Sequence, residues 1–204
     1  MNINKEIQMR LYDRFYSKEK DSRDIRPNDL AVQSVKHITK GEALDLGCGE
    51  GQDSIFLKQS GFNVTAIDTS KVALDNLLEL AKDYNVELDV VHSDIKTFKF
   101  DKQYDFVLAE GSIHFLKNDQ IKPFIRTLQD NTNVNGVHSL EFFNHKTSKN
   151  QVNSMAKWGI STIDTEVLVE YYKGWEILSM KEELQEKNEY SKRGITQLIV
   201  KKIT

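Results

Sequence analysis

Apolar residues along this chain come in short blocks whose internal spacing alternates between that of a strand and that of a helix. Residues 43–46, 64–67, 88–91, 104–109 and 137–143 are largely apolar runs bounded by turn-forming or charged residues, the pattern of strands buried on both faces. Helical stripes lie between them. Leu74, Leu77, Leu78 and Ala81 fall at i, i+3, i+4 and i+7, and Ile121, Phe124, Ile125 and Leu128 repeat the spacing. Residues 52–59 predict a shorter helix stopped by Gly61, and Thr69 or Ser70 is placed to cap the helix that holds Leu74. Strand followed by helix, repeated, predicts a parallel sheet with helices on both faces.

The two ends depart from this rhythm. Residues 1–40 are polar and predict a helical cap broken at Pro27, with a second short helix at 28–37. Residues 144–163 are polar and show no clear period, so they read as an irregular insertion. After them, 165–172 predict a last helix ended near Gly174. Residues 175–184 and 195–200 predict two strands joined through a polar stretch, an antiparallel hairpin at the sheet edge. The expectation is a single α/β domain over 1–204: a cap at 1–40, a ligand-binding core at 41–143, and the insertion, last helix and edge strands at 144–204. Its sheet is Rossmann-like, with seven strands, mostly parallel.

Composition narrows the function classes. With 204 residues, 39% of them hydrophobic, there is material for one sizeable core. A lone cysteine, Cys48, allows no intramolecular disulfide and no cysteine-rich metal site, so no metal is expected. No apolar run approaches the roughly 20 residues that span a bilayer, and the polar start lacks the apolar stretch of a signal peptide. A net charge of −3 disfavours nucleic acid as a partner. These features predict a cytoplasmic protein, monomer or homodimer, that acts on a small molecule.

The segment with chemical content is Leu44-Asp45-Leu46-Gly47-Cys48-Gly49-Glu50-Gly51, a strand running into a glycine turn. Its spacing is Gly-x-Gly-x-Gly. A dinucleotide fingerprint wants Gly-x-Gly-x-x-Gly and would place its third glycine at Gln52, which disfavours a nicotinamide oxidoreductase. Asp45 precedes the turn, where a carboxylate repels pyrophosphate and favours a cationic ligand; S-adenosylmethionine (SAM) has both an ammonium and a sulfonium. The free N–H groups of the next helix suit the carboxylate of the same amino-acid tail. Asp68 ends the second strand, placed to accept ribose hydroxyls, and Asp94 follows the third, placed for an adenine edge. After the fourth strand, His114 is the leading candidate for a base or acceptor contact, with Glu110 nearer the strand end. Cys48 reads as a small residue filling the loop, since no His lies close in sequence.

These segments together resemble the SAM-dependent methyltransferases of the class I fold, and within them the tellurite-resistance group, relatives of the thiopurine methyltransferases. The resemblance rests on LDLGCGEGQDSIFL, GFNVTAIDTS, QYDFVLAEGSIHFL and YYKGWE. It implies cofactor contacts from Asp45, Gly47, Cys48, Gly49, Gly51, Asp68, Thr69, Asp94, Ile95 and the backbone at Ala109 and Glu110. It also implies an N-terminal segment over the cofactor, with Tyr12, Tyr16 and Arg26 closing the site. The implied reaction moves a methyl group from SAM to a small acceptor, leaving S-adenosylhomocysteine. The acceptor is a soft nucleophile, such as a tellurite- or selenite-like oxyanion or a thiol, or a small amine. His114, Glu110 and Tyr172 are the catalytic candidates, although Tyr172, with Tyr171 and Trp175, reads first as a core aromatic. Two other readings stand beside this one, a SAM sensor without turnover and a protein or RNA methyltransferase. The sequence departs from the group at Asn133-Val134-Asn135-Gly136, where Pro-Gly-Gly is usual, and after Trp175, where the match fades and the group's basic and His-bearing C-terminal residues are not evident in residues 181–194.

Overall fold

A computed structural model describes residues 13, 14, 16, 17 and 26–204, apart from 189 and 190. Seven strands form one sheet: β1 Gly41–Leu46, β2 Phe62–Asp68, β3 Asp89–His92, β4 Tyr104–Ala109, β5 Thr132–Phe143, β6 Trp175–Asn188 and β7 Ser191–Lys202. Their order is β3-β2-β1-β4-β5-β7-β6. β3 through β5 run parallel, and β7 lies antiparallel between β5 and β6. The expected α/β architecture with its antiparallel edge hairpin is what the chain adopts.

Six α-helices are described: α1 Asp29–Ser34, α2 Gln52–Gln59, α3 Lys71–Asp83, α4 Asn118–Asp130, α5 Lys149–Lys157 and α6 Thr165–Tyr171. Alternate strand residues point to opposite faces, and both faces are buried. Leu44, Leu46, Val107, Ala109 and Leu140 pack against Ile121, Ile125 and Leu128 of α4 and Leu168 of α6. Ala43, Val64, Phe106, Leu108 and Val137 pack against Leu30 and Ala31 of α1 and Leu57 of α2. Successive strands leave β1 in opposite directions, to β2 on one side and β4 on the other. A crevice therefore opens at the carboxyl ends of β1 and β4, the usual ligand position in such sheets.

Local chemistry explains the element ends. Ser70 caps α3, its hydroxyl accepting from the Ala73 N–H. Gly61, at φ 102°, turns the chain from α2 into β2. Within α3 the buried residues are Ala73, Leu74, Leu77, Leu80 and Ala81, while Leu78 is exposed. The buried stripe is thus rotated from the predicted one toward Ala73 and Leu80. The polar insertion contains a helix that periodicity missed, α5, which buries only Met155. The hairpin is longer than its apolar pattern, since residues 185–188 and 191–194 continue the ladder with polar side chains. Residues 133–136 form no free bend. They bulge within β5 opposite Asp105, whose carboxylate accepts from the Asn133 side chain and the Glu42 N–H. No helix among the described residues is long and apolar enough to cross a membrane.

Candidate active site

At the carboxyl end of β1 the backbone N–H groups of Gly47 and Cys48 both donate to the Ile67 carbonyl of β2, at 2.8 and 2.9 Å. This pins the glycine turn to the neighbouring strand. Gly47 has φ 75°, and a Cβ there would meet the Ser112 Cβ at 2.6 Å; Gly51 has φ 82°, and its Cβ would meet Leu77 Cδ1 at 1.9 Å. The turn is wedged between the loop after β4 and α3, so only glycine fits both positions. Cys48 is buried, its thiol pushed well up by burial, and it packs with Ile55, Ala66, Leu74 and Leu77. It fills the loop, as its sequence context suggests.

The acids stand where the strand ends put them. Asp45 is 4% exposed, and its Oδ2 accepts from the Ser54 hydroxyl at 2.6 Å. Burial, then the nearby Asp53 carboxylate, pushes Asp45 up to about 7 against the opposing hydrogen bond from Ser54. Asp68 accepts from the Gly49 N–H at 3.0 Å and the Ser70 N–H at 2.8 Å, and burial raises it despite these bonds. One carboxylate thereby orders the glycine loop and the start of α3 together. The Thr69 carbonyl lies 2.9 Å from the His92 ring. Ser93 donates its N–H to the Asp68 carbonyl, tying the segment of Asp94 and Ile95 to the tip of β2. Asp94 is half-buried and Ile95 is buried, while Asp94 Oδ1 accepts from the Lys96 N–H.

Beyond β4 the chain passes Ala109, fully buried, into Glu110, Gly111 and Ser112, then a single 3-10 turn, Ile113–Phe115. Glu110 Oε2 and Ser112 Oγ are buried with no hydrogen-bond partner. Burial pushes Glu110 up to about 9, reinforced by Glu141, Asp53, Asp45 and Asp29. His114 is buried, its ring 4.6 Å from that of Phe115 and 4.5 Å from that of Phe143. Burial pushes its imidazole down to about 3, so it is neutral at any physiological pH. The Ser161 N–H donates to the His114 carbonyl, and the Ser161 hydroxyl to that of Leu116, which ties this turn to the chain after α5.

The N-terminal segment comes over the glycine turn. Gly49 lies under the Tyr16 hydroxyl, which would stand 2.9 Å from a Cβ at that position, and the Asn76 side chain donates to the Tyr16 carbonyl. Asp13 accepts from the Ser70 hydroxyl at 2.5 Å. Tyr12 lies outside the described residues, and Arg26 is exposed. Two partners escaped sequence reading. Asp53, 8% exposed, accepts from both the backbone and side-chain nitrogens of Asn28, at 2.7 and 2.8 Å. Glu141 on β5 stands beside the site and accepts from Gln197. Asp53 looks like an ordinary helix-start acid in sequence, and Glu141 sits in an apolar run, a polar residue whose only signal is its misfit.

Tyr172 is not part of this group. It is 1% exposed, its hydroxyl 2.9 Å from His138 Nδ1, with Trp175 packed edge-on beside it. The Thr132 hydroxyl donates its one proton to the Leu128 carbonyl, so it accepts from His138 Nε2–H, and Nδ1 is left to accept from Tyr172. This is a structural network in the core, and Tyr172 is corrected to a packing residue. Tyr172→Phe should cost about 1–3 kcal/mol of stability by stranding a buried imidazole nitrogen, readable by urea titration. A matching loss of ligand affinity would return Tyr172 to the site.

Sheet order, glycine turn and strand-tip acids define the class I methyltransferase fold. The solved structure of TehB from Haemophilus influenzae superposes with a TM-score of 0.75 at 24% identity, covering 94% of this chain and 67% of that one. N-methyltransferase NodS from Bradyrhizobium japonicum WM9, in complex with S-adenosyl-L-homocysteine, gives a TM-score of 0.71 at 13% identity over 96% and 98% of the two chains. The family model described as tellurite resistance protein TehB matches residues 9–200, and the chain belongs to that family. A curated relative from Haemophilus influenzae strain 10810, named "Probable S-adenosyl-L-methionine-dependent methyltransferase TehB", is 28% identical over 185 residues, 88% of this chain. The chain spans 63% of that relative's length.

Proposed function

We propose that this chain binds SAM over the Gly47–Gly51 turn and catalyses transfer of its methyl group to a small-molecule acceptor, releasing S-adenosylhomocysteine. The observation that supports this most is the cluster of buried acids in the crevice. Asp45, Asp68 and Glu110 are all raised by burial, so a cationic ligand relieves a desolvation cost that each carries alone. The positive φ angles of the turn let backbone approach such a ligand closely.

In this reading Asp68, with Thr69 beside it, takes the ribose hydroxyls, and Asp94 with Ile95 borders the adenine. Asp45, the closely approaching backbone of the turn at Gly47, Cys48, Gly49 and Gly51, and the backbone at Ala109 and Glu110 receive the amino-acid tail. Tyr16 covers it, with Tyr12 and Arg26 as further closing residues. The donor supplies a methyl carbon already activated by a positive sulfur. The chain contributes alignment and exclusion of water, worth several kcal/mol. The acceptor class is a soft nucleophile or a small amine, arriving at the loop of Glu110, Ser112 and His114. The family name and the relatives' printed names support the reaction class.

Calorimetry with S-adenosylhomocysteine and with NAD tests the cofactor directly; tighter NAD binding would end this reading. His114 faces Phe143 as a neutral ring, so it serves as an acceptor contact, not as a strong base. His114→Ala should therefore lower kcat/KM by about tenfold or more with unchanged cofactor affinity. Equal turnover in that variant would reduce His114 to packing.

A further inference from the structure

We propose that the side chains of Glu110 and Ser112 hold the amino-acid tail of the donor, each offering a hydrogen-bond donor and an acceptor to its paired charges. The proposal rests on the SAM-binding reading above and adds two side chains to a tail site otherwise made of Asp45 and backbone. Two polar atoms of the loop after β4 are buried, and among the described residues neither has a hydrogen-bond partner: Glu110 Oε2 and Ser112 Oγ. Ser112 as a whole is only 6% exposed. Buried polar atoms are nearly always satisfied, so a pair left open beside a ligand crevice marks where a ligand completes it.

Position assigns the pair to the donor. Glu110 follows Ala109, the last residue of β4, and so stands at the crevice beside β1. Ser112 is pressed against Gly47, its hydroxyl oxygen 3.5 Å from the place a Cβ would take there. Gly47 opens the turn over which the tail lies. His114, two residues on, packs instead against Phe143 of β5, which leaves that end of the loop to the acceptor.

The chemistry of the pair suits a zwitterion. Burial, then Glu141 of β5, Asp53 of α2, Asp45 of β1 and Asp29 of α1, keeps the Glu110 carboxyl protonated at neutral pH. A neutral carboxyl has one O–H to donate and lone pairs to accept with, as does a serine hydroxyl. The tail brings an ammonium, which only donates, and a carboxylate, which only accepts. An ionised acid in the same place would repel that carboxylate.

The test is calorimetry on the full chain with S-adenosylhomocysteine and with methylthioadenosine, which keeps the adenosine and the sulfur and has no amino-acid tail. Glu110→Leu and Ser112→Ala should each weaken S-adenosylhomocysteine binding by about tenfold or more, the effect of a lost hydrogen bond to a charged group. Methylthioadenosine affinity should stay within about twofold of wild type in both. Glu110→Gln, which keeps a donor and an acceptor at that place, should hold both ligands within about threefold of wild type. Melting curves without ligand are the folding control. Since neither atom has a partner in the free chain, neither Glu110→Leu nor Ser112→Ala should lower Tm.

Unchanged S-adenosylhomocysteine affinity in Glu110→Leu and Ser112→Ala overturns the proposal and gives the open atoms to the acceptor. Equal losses for the two ligands overturn it too, because they mark damage to the glycine turn. A lower Tm in either variant does the same, showing that its atom was already satisfied. A Glu110→Gln chain that binds as weakly as Glu110→Leu overturns the neutral pairing. A wild-type chain that binds neither ligand instead defeats the SAM reading beneath it.

Discussion

Asp68→Ala is expected to weaken S-adenosylhomocysteine binding by about 1–3 kcal/mol, the loss of charge-assisted hydrogen bonds to a ribose. The structure adds a second route to the same loss. Asp68 accepts from the Gly49 and Ser70 N–H groups, so its removal loosens the glycine turn and the start of α3 at once. Two outcomes separate the routes. If Asp68 acts through the ligand, Asp68→Asn, which keeps one acceptor oxygen and so one of the two N–H bonds, recovers part of the Tm lost in Asp68→Ala and still binds as weakly. If it acts only through the turn, Asp68→Asn restores affinity along with stability. Calorimetry on both variants, paired with melting curves, distinguishes them. Wild-type affinity in Asp68→Ala would remove the ribose site from β2 altogether.

Gly51→Ala should be the more damaging change to the fold. Its φ of 82° is left-handed, and the added Cβ would stand 1.9 Å from Leu77 Cδ1. Left-handed backbone costs a side-chain-bearing residue about 1–2 kcal/mol, and overpacking a tight core about 1–3 kcal/mol more. The sum of about 2–5 kcal/mol is a large part of a domain's stability and should shift Tm by about 2–4 °C for each kcal/mol. Leu77→Ala in the same chain should recover the packing part and leave the backbone part, so the double variant should be more stable than the two single losses predict. A Gly51→Ala chain within about 0.5 kcal/mol of wild type would show that the turn does not need glycine there.

Most of the sheet was legible because its strands are buried on both faces. Residues 43–46, 64–67 and 104–109 are each apolar at all but one position. Asp45 and Asp68 were legible for the opposite reason, as acids at the ends of those runs. The insertion was not legible: α5 buries Met155 alone, so it has no stripe to find. Nor were the outer halves of the hairpin, where strand pairing is carried by backbone bonds between residues such as Gln185 and Arg193. Tyr172 was misassigned because an aromatic near a motif looks the same whether it faces a ligand or, as here, His138.

The order of residues determined the local facts of this protein: where strands begin and end, that a turn of glycines follows β1, and that acids stand at the strand tips. Those depend on side-chain period and backbone freedom, which neighbours in sequence set. Tertiary structure alone decided which of these groups meet. Glu110, Asp45, Asp53 and Glu141 come from four elements, and none signals the others along the chain. Their shared crevice exists because β4 crosses to the far side of β1 from β2. That crossing brings these acids together in low dielectric, where burial and their mutual repulsion raise Asp45 and Glu110.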